Sequence, residues 1–295
     1  MRTALPTDDL RQFLAEAQDR HGAQPAEVWA ALQNWATRLS PDASGAEALR
    51  LAEHVGLGHC ADAPGLRAFV QALPATLAVS EATAAAVQRL RWSLAAVSGM
   101  PVPELPHSQA WRSLQNVVLA LARLGRCAEA AALLAAEEPA ALAEGASDAG
   151  KAFASTANNV AGHLQSDRAG ADDARDALML QAAAMARRAW ASAGNWMHVE
   201  RADYRLALCH AAAGDGAGAV QHARRCLAAC VAAGDEADAV EHFFAHEALA
   251  RASRAIHDAD AAGHAVQRMQ ALLPQIAEAD GLRAWCDETL ADLTA

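Results

Sequence analysis

Aromatic residues are scarce in this chain, at 4% of the sequence, and Tyr204 is the single tyrosine. Strand-like alternation of Val, Ile, Thr and aromatic side chains is nearly absent, which removes the residue types that stabilise a pleated, half-buried surface. Lysine is scarcer still, with Lys151 standing alone among 24 basic residues. Basic recognition therefore rests on arginine forks, which suit carboxylates and phosphates. The net charge of -11 argues against a general nucleic-acid binder, because that function needs clustered Lys and Arg to release counterions. No run of roughly 18 apolar residues passes without a charge, and the stretch from Met1 to Leu10 has no apolar core of signal-peptide length. A cytoplasmic protein, neither secreted nor inserted in a membrane, is the expectation.

Signatures of catalysis are missing as well. The sequence holds no Gly-x-Ser-x-Gly, no Gly-Lys-Ser/Thr and no glycine-rich nucleotide loop after a strand. Paired carboxylates such as Glu137-Glu138 and Asp172-Asp173 fall at helix ends or in loops, where capping and solvation account for them. Cys60, Cys127, Cys209, Cys226, Cys230 and Cys286 are mostly scattered at apolar positions, as reduced, buried thiols are. No disulfide framework and no cofactor are expected.

What remains is alanine in abundance and 53% apolar residues over 295 positions, enough to bury a substantial core of closely spaced helices. The fold class read from this is all-α. Apolar periodicity predicts helices that begin with a cap at Thr7 or Asp8 and a second opening at Pro25, and that recur at 44–56, 64–73 and 80–98. Three prolines, Pro101, Pro103 and Pro106, then forbid a helix. That break suggests a helical segment over 1–100 and a second domain over 107–295. In the second, helices are expected near 108–124, 128–136, 150–165 and up to 193, then at 197–213, 216–233, 236–257, 259–278 and 281–293.

Glycine stops mark the pairing of these helices. Leu124-Gly125-Arg126 and Ala213-Gly214-Asp215 stand in matching frames as turns within a hairpin, whereas Gly234 joins one hairpin to the next. Alternating helix pairs with short turns are the pattern of a right-handed α-α superhelix, a solenoid of antiparallel hairpins.

These residues resemble the tetratricopeptide repeat family. Aligned on the turn, one copy carries Leu114, Val117, Val118 and Leu121, then Gly125 and Ala130; another carries Leu206, Ala207 and His210, then Gly214-Asp215 and Ala219. A less regular third copy places Leu249, Ala250 and Ser253 before Asp258 and Ala262. The resemblance covers about 108–280. Equivalent positions Asn116, Asn159 and Arg205 lie 43 and 46 residues apart, longer than the family's roughly 34-residue repeat, so the repeats are degenerate and lengthened. Trp29-Ala30-Ala31-Leu32-Gln33-Asn34, echoed by Trp111-Arg112-Ser113-Leu114-Gln115-Asn116, suggests that the array reaches into the N-terminal third.

The resemblance implies a concave surface that binds a protein or peptide partner, with a homodimer also compatible. One subset of the family grips a terminal carboxylate with asparagine and basic residues on successive helices. Asn159, Arg201 and Arg205 fall on three of its five positions, while Gln115 and Leu119 occupy the other two. Arg201 and Arg205, one helical turn apart, present converging donors to a carboxylate. The site residues expected on this basis are Asn159, His163, Arg201, Tyr204 and Arg205, joined by Phe244 and Glu247 on the adjoining helix. Two other readings stand beside it. In one, a small carboxylate or peptide enters the groove and regulates the protein. In the other, His242 and His246, spaced i and i+4, ligate a catalytic metal.

Overall fold

A computed structural model describes residues 9–278 and 281–294, and over these the chain is helical throughout, with fourteen α-helices and no strand. Contacts divide it into two compact units, one ending at Glu137 and one beginning at Glu138.

The first unit holds α1 (Leu10–Arg20), α2 (Pro25–Trp35), α3 (Ala43–Ala52), a π-helical turn π1 (Glu53–His59), α4 (Ala63–Ala72), α5 (Glu81–Val97), α6 (His107–Arg123) and the start of α7 (Cys127–Glu144). Thr7 and Asp8, expected to cap the first helix, lie outside the described residues. Asp9 is the cap, accepting from the backbone N–H groups of Arg11 and Gln12, and Asp42 and Asp62 cap α3 and α4 in the same manner. Trp111, Leu32, Leu49, Leu57, Leu66 and Leu90 are fully buried in this unit.

Within that core Glu53 is 1% exposed. Its carboxylate accepts from Arg89 Nη2 at 2.8 Å and from Ser93 Oγ at 2.6 Å, while Arg89 Nε donates to Ser113 Oγ at 3.0 Å. This network ties π1 to α5 and α6. Because α6 packs against both of those elements, and Arg126 Nη1 donates to the Val97 carbonyl at 2.8 Å, the proline-rich stretch 99–106 is a connection inside the first unit. The units part beside Pro139, within α7, where the missing N–H interrupts the helical ladder.

The second unit continues through α8 (Asp148–Ser166), α9 (Asp173–Ala193), α10 (Trp196–Ala212), α11 (Gly216–Ala233), α12 (Ala239–Ala255), α13 (Ala259–Leu272) and α14 (Leu282–Thr294). The closest pairings are between consecutive helices, α8 with α9, α10 with α11 and α12 with α13. Alanine makes this closeness feasible: Ala207, Ala219, Ala223, Ala248 and Ala252 form one buried cluster shared by α10, α11 and α12. Gly214 has φ +77°, and Asp215 N–H returns to the His210 carbonyl at 2.9 Å, the closure that ends a helix on a left-handed residue. Gly125 in the first unit does the same with φ +72°. At the equivalent point of the α12/α13 hairpin the left-handed residue is His257, φ +59°. No helix among the described residues is long and apolar enough to cross a membrane.

Candidate functional site

Helix α10 begins with Asn195, whose side chain accepts from the His198 N–H, and this cap sets the phase of the helix. Glu200, Arg201, Tyr204 and Arg205 then share a stripe, since residues three and four apart are neighbours on a helix surface. They line a cavity of about 370 Å³ together with Asn158 of α8, Val240, Glu241 and Phe244 of α12, and Leu282 and Trp285 of α14. Four of the residues expected from the sequence, Arg201, Tyr204, Arg205 and Phe244, therefore meet around one space.

Its apolar side is a row of rings. Tyr204 and Phe244 stand edge-on with centroids 5.9 Å apart, and Phe244 meets Trp285 at 4.6 Å. Trp285 is 54% exposed. The other side is charged and mostly committed: Arg201 Nη2 binds Glu241 Oε1 at 2.5 Å, and Arg205 Nη1 donates to Gln165 Oε1 at 2.8 Å. The Nε of Arg205, enclosed by protein, has no acceptor.

The acids in the wall are held toward their neutral form. Burial raises Glu200 from its ordinary 4.5 to about 7, against the opposing hydrogen bond from Cys226, whose Sγ donates to Glu200 Oε1 at 2.7 Å. Burial, and then the neighbouring Asp238 carboxyl, also raises Glu241. The thiols behind them are pushed up as well: burial and the Glu200 carboxylate raise Cys226, and burial raises Cys230 to about 12. Those cysteines pack as buried apolar groups and are poor nucleophiles.

The remaining expected residues fall elsewhere. Asn159 is exposed, and its neighbour Asn158 lines the cavity instead; one residue along a helix turns a side chain by roughly 100°, enough to miss the site. His163 lies with its Nε2 at 4.0 Å from Asp167. Glu247 is buried behind the ring row, where it accepts from Tyr204 Oη at 2.8 Å and from Arg251 Nε at 2.7 Å. It holds Tyr204 in position and does not line the cavity.

Sequence reading missed Glu200, Glu241 and Trp285. Glu200 directly precedes Arg201 in the chain, but nothing local marks a carboxyl as buried. Trp285 belongs to a helix that alignment on the repeats leaves out. His242 and His246 are both half-buried on α12. His246 is lowered to about 4, chiefly by burial and then by the charge of Arg268. Among the described residues, no third His, Cys, Asp or Glu gathers with this pair; the group of such donors that does gather is His21, His54 and His59, in the first unit. No family model, no curated protein and no solved structure matches the chain.

Proposed function

We propose that the second unit is a non-enzymatic recognition module of a cytoplasmic protein, its hairpins stacked as a right-handed α-α superhelix resembling degenerate tetratricopeptide repeats. In this reading the cavity takes an apolar or aromatic group that carries a carboxylate or carbonyl: the anchor residue of a partner peptide, or a free small carboxylate of the same chemistry. The observation that carries it is the row of rings Tyr204, Phe244 and the exposed Trp285 lining the same cavity as Arg201 and Arg205. Aromatic and arginine side chains at the centre of a concavity are the residues in which binding energy concentrates.

Size narrows the occupant. A cavity of about 370 Å³ lies at the small end of ligand sites, which run from about 300 to 1,000 Å³. It suits one side chain with its terminal group, and the rest of a peptide would lie outside. Selection from a displayed random-peptide library, run beside a panel of free amino and aromatic carboxylic acids, tests this. Peptides with an aromatic residue at or near a free C-terminus should be enriched, and Arg205→Ala and Trp285→Ala should each weaken them at least tenfold. Binding by the free acids alone assigns the site to a small ligand. Ligands that bind Arg205→Ala and Trp285→Ala as well as the parent, or no enrichment over a variant carrying both substitutions, remove the proposal.

A further inference from the structure

The first unit carries a second, chemically different arrangement. His21 caps the end of α1, and His54 and His59 lie on π1. Their rings form a closed triangle, with centroids 4.7 Å apart for His54 and His59, 5.2 Å for His21 and His54, and 5.5 Å for His21 and His59. One ring nitrogen of each lies within 4.8 Å of one from each of the others. We propose that His21, His54 and His59 form a binding site for a divalent transition metal of the zinc class, held by three imidazole nitrogens with a fourth position open.

The backbone explains how the ligands meet. In an α-helix residues i and i+5 diverge, but π1 closes its turns with longer bonds, as from the Cys60 N–H to the Val55 carbonyl at 2.9 Å. Residues 54 and 59 then stand one turn apart on the same face. This geometry is uncommon and recurs at functional sites. Two residues past its end, Ala61 lies in the left-handed region, φ +51°, a strain that persists only where the surroundings impose it. Two glycines let π1 approach its neighbours: a Cβ on Gly56 would meet the Trp29 ring at 2.9 Å, and one on Gly58 would meet Asn116 Oδ1 at 2.8 Å.

Hydrogen bonds on the outer edges of the rings set the tautomers. The Asn116 Oδ1 lies 3.1 Å from His54 Nδ1, and the Gln18 carbonyl 2.8 Å from His21 Nδ1. Both oxygens accept, so each Nδ1 carries a proton and each Nε2 presents a lone pair, the form in which histidine ligates. Oxygen acceptors on the far nitrogen are the outer shell that orients metal-binding imidazoles. His54 Nε2 and His59 Nε2 are 3.2 Å apart, close to the roughly 3.3 Å between two nitrogens at about 2.0–2.1 Å from a tetrahedral zinc ion. All three residues are partly exposed, so an ion can enter from solvent. Three imidazoles with one open position are the ligand count of a catalytic zinc site rather than a structural one, and imidazole also suits cobalt, nickel and copper.

The test uses full-length protein without a histidine tag, stripped with chelator and titrated with Co²⁺ alone, then with Zn²⁺ as competitor. Visible cobalt bands should grow to one equivalent and disappear on adding one equivalent of zinc. His21→Ala and His59→Ala should each lower affinity at least tenfold, and Asn116→Ala, a positioning change, by 10- to 100-fold, with circular dichroism unchanged. His242→Ala combined with His246→Ala should leave the titration as it is. Zinc should also raise the Tm of the parent and not of His59→Ala, because a ligand that binds only the folded state stabilises it. Absence of a stoichiometric cobalt complex in the parent overturns the proposal, as does a complex whose affinity is unchanged in His21→Ala and His59→Ala, whatever the His242/His246 variant does.

Discussion

The guanidinium of Arg205 lies across the backbone of Gly162: a methyl group placed on that glycine would stand 3.1 Å from Arg205 Cζ and 3.4 Å from its Nε. A glycine inside helix α8 costs about 1 kcal/mol relative to alanine, and here its bareness makes room for the guanidinium of Arg205, a residue that lines the cavity. Gly162→Ala should therefore change stability by less than about 1 kcal/mol, propensity offsetting crowding, yet weaken peptides selected on the parent severalfold. Unchanged affinity would show that Arg205 does not touch the ligand.

Glu200 gives the second unit a pH signature. Its folded-state value near 7 stands above the ordinary 4.5, so between those values the folded state binds more protons than the unfolded state. Its stabilising share is therefore complete below about 4.5 and is lost as pH rises through about 7. Glu200→Gln keeps an oxygen for the Cys226 thiol and removes the charge. The variant should gain about 1–3 kcal/mol over the parent at pH 8 and little at pH 4. Urea unfolding at both pH values measures this, and an equal difference at both would refute the buried-carboxylate account.

His257 holds the left-handed turn that glycine holds at Gly125 and Gly214. A side chain in that region costs roughly 1–2 kcal/mol, partly compensated because glycine loosens the unfolded chain. His257→Gly should stabilise the protein by about 0.5–1 kcal/mol. A loss of stability in thermal unfolding would mean that the imidazole makes an interaction worth more than the strain.

Arg89 is the cation for the buried Glu53. Removing one member of such a pair leaves an uncompensated charge in the core, at a cost of about 3–5 kcal/mol. Arg89→Ala should lower stability by about that amount, and adding Glu53→Leu should restore a good part of it. If the double variant is the less stable of the two, the cost lies in lost packing and not in the charge.

Much of the architecture was readable along the chain because its causes are local. Alanine-rich apolar stripes, Asp and Asn caps and glycine stops act within a few residues, and the α9, α11 and α12 stretches lie within a few residues of where the periodicity put them. The π-helical turn escaped, since Glu53 to His59 continues an ordinary apolar stripe from α3. The proline run 99–106 looked like a border, yet α6 packs back on α5 and π1. Chain chemistry cannot foretell which faces will meet.

The same division runs through the two sites. Composition and periodicity determined an all-α chain with Arg201, Tyr204 and Arg205 on one face of one helix, because a 3.6-residue repeat settles which neighbours share a stripe. Tertiary packing decided the rest. It brought Trp285 from a helix about 80 residues on, buried Glu200 and so raised its pKa, and turned Asn158 rather than Asn159 inward. In the first unit it carried His21 across 33 residues to His54. Burial and long-range juxtaposition depend on how helices dock, and docking is a sum over many weak contacts that no single stretch of sequence contains.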